Sequence, residues 1–408
     1  MAAVTWGQLA KSLIDPKLIE ERIAEIIAEH NEDETAHLGA GQSLQSHKAS
    51  EIIDHLVGSI LGEKLDISAQ VGDCIVAAEG GDYTSIQAAL DAGKKSIYVK
   101  GGTYEITSPI TILSSGVTIK GESRVNTIIK TANGANCHAV VIGDGATVLN
   151  DIVIEDIQID GNKANQTEIV NGIWLKGGSA ANITFSSILN CYIHDCARYG
   201  IYLKYSENCI ITGCQANSNY SRGIYLDRSH NNMVTANQAN FSASYQGIYL
   251  DYSNKNAITG NQVVSNSTNH GMALNYSNNN TVTGNQISEN YHGLNLSWSD
   301  NNVIIGNQIN SNTGGRGIYL LTSHNNIISS NQTNSNATDG IRLEQSDYNT
   351  IIGNHSQENA GYGINIYNTQ CDNNLVIKNY LTENTTGSLN DSGTGTILGA
   401  STTNDNVV

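Results

Sequence analysis

Residues 247–270 read GIYLDYSNKNAITGNQVVSNSTNH, and GMAL at Gly271 opens the same pattern again. The tetrapeptide Gly-apolar-x-apolar occurs nine times, at Gly172, Gly200, Gly223, Gly247, Gly271, Gly293, Gly317, Gly340 and Gly363. The spacings are 28, 23, 24, 24, 22, 24, 23 and 23 residues. A fixed period of this size marks a solenoid, in which each unit buries its apolar face by stacking on the next. Three short β-prone runs per period, here GIYL, AITG and QVVS, alternate inward and outward side chains. The Ile and Leu of GIYL face in and the Tyr faces out. Joined by tight polar turns, such runs predict an all-β, right-handed parallel β-helix of about twelve coils, roughly 55 Å long at the strand spacing.

The turn residues repeat too. Ser206, Ser229, Ser253, Ser277, Ser299, Ser323 and Ser346 form one column, which Cys371 continues. Asn232 to Asn374 follow three residues later, Asn237 to Asn379 eight later, and Asn219 with Asn266 to Asn384 thirteen later. Asn tolerates left-handed backbone, and stacked amides bond up and down a column. These columns therefore read as ladders that hold corners, not as a catalytic signature. Cys191, Cys196, Cys209 and Cys214 take ladder places in the early coils, so they read as small buried side chains and not as a zinc site.

The 408 residues carry a net charge of −17, which argues against a nucleic-acid partner. No stretch has the length and apolarity of a membrane span. The opening MAAVTWGQLAKSL lacks the order of a secretory signal, so export by lysis or within a larger particle is expected. Residues 1–70 differ in composition. PKLIEERIAEIIAEH at 16–30 and KASEIIDHLVGSIL at 48–61 each have an amphipathic helical pattern and read as an attachment or oligomerisation region. The β-helix is expected over 71–385, with a capping helix near 83–92 started by a Thr84–Gln87 capping box. Residues 386–408 lose the period and read as a cap or tail.

The run YTSIQAALDAG, IYVKGGTY and VTIKGESRVNTII over residues 80–130 resembles the entrance of the pectin-lyase-like superfamily. The later coils resemble the parallel β-helix repeats of carbohydrate-binding and sugar-hydrolysis domains. HNEDETAHLGAGQSLQSHKASEIIDHLVGSI resembles the N-terminal regions of phage tail and minor structural proteins. The resemblance implies a tail-spike-like protein of the virion, a homotrimer that binds host-surface polysaccharide or degrades it as a depolymerase (glycoside hydrolase or lyase), and meets a tail or baseplate partner through residues 1–70. It is specific for fold and not for reaction. A free-standing polysaccharide lyase, hydrolase or epimerase, and a non-catalytic adhesive rod, stay open as alternatives.

Chemistry is sought on the outward face of the GIYL strand. Trp174, Tyr202, Tyr225, Tyr249 and Tyr319 share one column, and Tyr252, Tyr276 and Trp298 share the next corner. Aromatic rings beside polar groups are what sugars need, a face to stack on and hydrogen bonds at the rim. Asp227 and Asp251 stand one coil apart, so one carboxyl is expected to hold its proton beside an ionised partner, the arrangement of a glycoside hydrolase. A calcium ion on the same pair reads equally well, and no other cofactor or metal is expected. Arg222, His270, His292 and Arg316 precede repeat glycines, and Glu344 joins the same face. In a lyase or epimerase, Arg or His would act there as base, and Arg would neutralise a uronate carboxylate.

Overall fold

The structure, a computed structural model, describes residues 73–266, 268–399 and 402–403, the last two by backbone alone. The helices expected within 1–70 lie outside those residues. The described chain is a right-handed parallel β-helix. One sheet holds fourteen strands, from Cys74–Val76 to Ile397–Leu398, and a second holds twelve, from Ile110–Ile112 to Gly387–Asp391. The third runs in pieces of five, three and three strands, bridged through Gln238 and Gln332. Every pairing between named strands is parallel, and repeats stay in register, so Ile248 meets Met272 and Asp251 meets Asn275.

The longest sheet exceeds the expected twelve coils by two. Cys74–Val76 pairs with Ser96–Val99 ahead of the recognisable repeats. Beyond them, Gly387–Asp391 continues on Tyr362–Ile366, and Ile397 pairs with Leu375. Thirteen strand spacings give a length of about 62 Å. The period thus fades at residue 386 without ending the strands.

Inward positions form stacked apolar columns, among them Ile224, Leu226, Val234, Ile248, Leu250, Ile258 and Val263, each without solvent exposure. The repeat glycine is set by closeness to the next coil. A Cβ on Gly293 would lie 2.3 Å from the Gly317 carbonyl oxygen and 2.4 Å from a methyl of Ile309. The Asn columns are ladders, as expected. Asn256 donates through its N–H and Nδ2 to Oδ1 of Asn280, at 2.8 and 3.1 Å. The serines form another ladder, in which each backbone N–H donates to the Oγ of the next coil, as from Ser253 to Ser277 at 3.0 Å. Cys209 and Cys214 join two of the Asn ladders by donating their N–H to Asn232 and Asn237.

The capping helix is Ile86–Asp91, shorter than 83–92, and its N-cap is Ser85, whose Oγ accepts from the Ala88 N–H at 3.1 Å. The Thr84–Gln87 box does not form. Gln87 turns instead to the Thr111 N–H, which its Oε1 accepts at 2.7 Å, and this ties the helix to the twelve-stranded sheet. Ile86 and Ala89 are buried, so the helix covers apolar side chains at the start of the solenoid.

Candidate functional site

Parallel register turns each outward position of the twelve-stranded sheet into a column running from coil to coil. In the middle column Trp174, Tyr202, Tyr225 and Tyr249 stack in turn, with ring centroids 5.7, 4.9 and 5.3 Å apart. The corner column does the same. Tyr252 lies 4.8 Å from Tyr276 at 6°, and Tyr276 lies 5.2 Å from Trp298 at 10°. This corrects the picture of rings offering free faces to a sugar. The coil spacing is also a ring-stacking distance, so neighbours cover one another and present edges and hydroxyls. At the end of the corner column Trp298 keeps one face uncovered. Thr322 follows it in the column, so its outer face meets no ring, and the residue is 46% exposed.

Tyr199, one residue before Gly200 and absent from the sequence candidates, packs edge-on against Tyr202 and Tyr225. Arg222 closes this group. Its guanidinium lies 4.7 Å over Tyr225 and 4.3 Å over Tyr249, and it donates to the Tyr199 hydroxyl at 3.1 Å and to Gln246 Oε1 at 2.9 Å. Burial and neighbouring carboxylates push the Tyr202 and Tyr225 phenols well up, and burial pushes Tyr249 up to about 12. Phenols held this high are poor proton acceptors near neutrality.

Asp227 and Asp251 are register partners, as expected. Each carboxylate has its own donors, and no hydrogen bond joins the two among the described residues. Asp227 accepts from the Tyr202 hydroxyl at 3.1 Å and pairs with Arg228 at 2.9 Å. Asp251 accepts from Asn275 Nδ2 at 2.8 Å. Arg228 thus places a positive charge beside Asp227.

The corner residues carry backbone strain. Tyr205, Arg228, Tyr252, Tyr276 and Trp298 have φ of 47, 47, 49, 45 and 49°, in the left-handed region that bulky side chains avoid. Tyr252 and Tyr276 are 44% and 38% exposed.

At the opposite edge of the sheet, His270 stacks on His292 at 4.8 Å. Burial, then the neighbouring His292 and Arg316 charges, hold His270 down to about 3; burial and Arg316 hold His292 down to about 4. Arg316 lies 4.3 Å over Tyr319. Glu344 accepts from the Tyr319 hydroxyl at 2.9 Å and from Arg342 at 3.2 Å. The predicted residues thus gather on one face, but along two edges and a middle column.

Ten buried side-chain polar atoms lack a partner among the described residues, and six lie on this face: Trp174 Nε1, His270 Nδ1, His292 Nδ1, Asn295 Oδ1, Arg316 Nε and Arg342 Nε. Buried polar groups are normally satisfied, so six unmet atoms on one face single it out as the candidate binding face. Asn295 and Arg342 were legible as column members but carried no sequence signal of this role. One trio with metal-ligand geometry, Asp160, His194 and Asp195, lies on the third sheet. Lys163 pairs with Asp195 there at 2.9 Å.

Residues 265–405 match the family described as periplasmic copper-binding protein NosD, a stretch that does not include that trio. No curated protein sequence matches the chain. Among solved structures, the A-module of Azotobacter vinelandii mannuronan C-5 epimerase AlgE6 superposes with a TM-score of 0.68 at 19% identity, over 77% of this chain and 93% of that one. The Dettilon tailspike superposes with 0.59 at 17% identity, over 76% of this chain and 65% of its own. Pre-mature gene product 12 of bacteriophage phi29 gives 0.67 at 14% identity, over 86% of this chain and 54% of its own. Identities this low speak for the fold. The family described as the right handed beta helix region matches residues 67–239 and 115–287, together more than half of the chain, and the protein belongs to it.

Proposed function

We propose that the protein binds polysaccharide across the outward face of its twelve-stranded sheet. The observation that carries this reading is the gathering of unpartnered buried polar atoms on the face that also bears the two aromatic columns. The strand His292–Ser297, extended to Trp298, puts the open indole face about 20 Å from the histidine edge, room for several sugar units. Trp298 supplies an apolar platform, and Asn295 Oδ1 accepts from a sugar hydroxyl. Support also comes from the named activities of the similar structures, since the epimerases act on mannuronan. A hydrolytic role for Asp227 and Asp251 has less support, because each carboxylate is engaged by separate donors.

In its tail-spike form this reading adds a host-surface glycan as ligand, a virion location, a homotrimer and attachment through residues 1–70. The test is incubation of the full chain with cell-surface polysaccharide, with retention on immobilised glycan and product ends both measured. Retention without new ends is expected. New reducing ends or unsaturated uronates would turn the reading to depolymerase chemistry, and no retention on any glycan would end it. Light scattering checks the assembly, and a monomer counts against the tail-spike form.

A further inference from the structure

We propose that His270, His292 and Arg316 form an anion subsite that takes the carboxylate of an acidic sugar. The three side chains stand on successive coils at one edge of the sheet, and the two imidazoles are register partners. The Cβ built on Gly315 would lie 1.7 Å from His292 Nδ1, so backbone covers that side of the ring. Both Nδ1 atoms are buried without partners, whereas the Nε2 atoms are not among the buried unpartnered atoms and make no hydrogen bond to the described chain, so they reach solvent. Arg316 has no ion pair among the described residues. Its Nε is buried and unpartnered, and its guanidinium rests on the face of Tyr319.

The surroundings explain why an anion fits and a cation does not. On the preceding coil stands the neutral Gln246, which donates to Asn269 Oδ1 at 3.2 Å. Tyr291 meets His292 edge-on at 4.7 Å. On the following coil Asp339 is engaged by Arg342 at 3.5 Å and by Asn365 Nδ2 at 3.0 Å. Among the described residues no ion pair therefore joins a carboxylate to Arg316 or to either histidine, and the nearby Glu344 is engaged by the Tyr319 hydroxyl and Arg342. A guanidinium without a counter-ion, beside two neutral rings that can each accept a proton, is a site that gains charge when a carboxylate arrives. Asn295 Oδ1, on a residue 9% exposed, then accepts from a hydroxyl of the same sugar. That the carboxylate belongs to a glycan rests on the proposed function; the anion site itself does not.

The test is an NMR titration of the histidine ring signals in the full chain, alone and with oligogalacturonate, neutral maltohexaose, sodium sulfate or copper(II). Oligogalacturonate is expected to raise the His270 and His292 pKa values by about one unit or more, as a nearby opposite charge does, while maltohexaose leaves them in place. Arg316→Gln should abolish the rise, and Arg316→Lys, which keeps the charge, should retain some of it. A rise with sulfate and none with oligogalacturonate would overturn the carboxylate assignment. No rise with any anion, or copper broadening of both rings that persists in Arg316→Gln, would overturn the subsite. Glycan retention with unmoved histidines would remove the subsite and leave the proposed function. Moved histidines without retention of any polysaccharide would do the reverse.

Discussion

Asn285 gives Asn307 two hydrogen bonds, one from its backbone N–H and one from Nδ2, both 2.9 Å to the same Oδ1. Its own Oδ1 receives the same two bonds from Asn261, and its Nδ2 also reaches the Ile258 carbonyl at 2.9 Å. Asn285→Ala leaves several buried groups unmet, each costing about 1–3 kcal/mol. It should lower the urea midpoint strongly. Asn285→Asp, nearly isosteric, should lower it too, because it turns an oxygen toward Asn307 Oδ1. An aspartate variant as stable as the parent would show that the ladder adds little.

Two glycines separate crowding from backbone conformation. Gly293 faces the Gly317 carbonyl at 2.3 Å from its missing Cβ, whereas Gly284 has φ +63° and open space around it. Gly284→Ala should cost about 1–2 kcal/mol, the left-handed penalty alone. Gly293→Ala must push neighbouring coils away from each other and should cost clearly more, read as a larger drop in urea midpoint at unchanged slope. Equal losses would refute the close-approach account.

The ladders were legible because Asn, Ser and Cys recur at fixed offsets from the repeat glycine, and a period in sequence becomes a column in space. The Gly-apolar-x-apolar pattern identifies neither the strand at Cys74 nor the one at Ile397, so the coil count came out low. Ser85 and Thr84 are neighbours with similar capping chemistry, and only the backbone chooses between them. The face bearing Asp227 and Asp251 could be read from register. What could not be read was the third dimension, since Tyr202 and Arg228 reach the Asp227 carboxylate and neighbouring rings cover each other. Nor does any pattern announce that Arg316 lacks a counter-ion.

The stacked histidines make stability depend on acidity. His270 and His292 sit at about 3 and about 4 in the folded chain, below the ordinary 6.5 that an exposed imidazole shows. Below about pH 6.5 the unfolded chain takes up protons that the folded chain refuses, so stability is complete above that pH and falls as pH drops toward about 4. The double variant His270→Gln, His292→Gln should lose less of its urea midpoint between pH 7 and pH 4.5 than the parent does. Identical losses would mean that the rings titrate normally.

Tyr276 sits at φ 45° and is 38% exposed, so only partial burial offsets its backbone cost. Asn is at ease in that conformation. Tyr276→Asn should therefore hold or raise the urea midpoint, by up to about 1 kcal/mol, while weakening glycan retention. A loss of stability would mean that stacking between Tyr252 and Trp298 outweighs the strain.

Trp298 separates the two uses of an aromatic ring on this face. One side of the indole is stacked on Tyr276 at 5.2 Å, and the other meets no ring. Trp298→Ala removes the open platform and should weaken glycan binding about tenfold, the size of one ring-stacking contact. Tyr225→Phe keeps a covered ring and deletes a hydroxyl whose contact with Asp251 is long, at 3.5 Å. Binding should then change little, since both faces of Tyr225 are already occupied by Tyr202 and Tyr249. Affinity measured by glycan retention should drop for Trp298→Ala and not for Tyr225→Phe. A larger loss for Tyr225→Phe would move the binding surface from the open end of the corner column to the hydroxyl edges of the middle one.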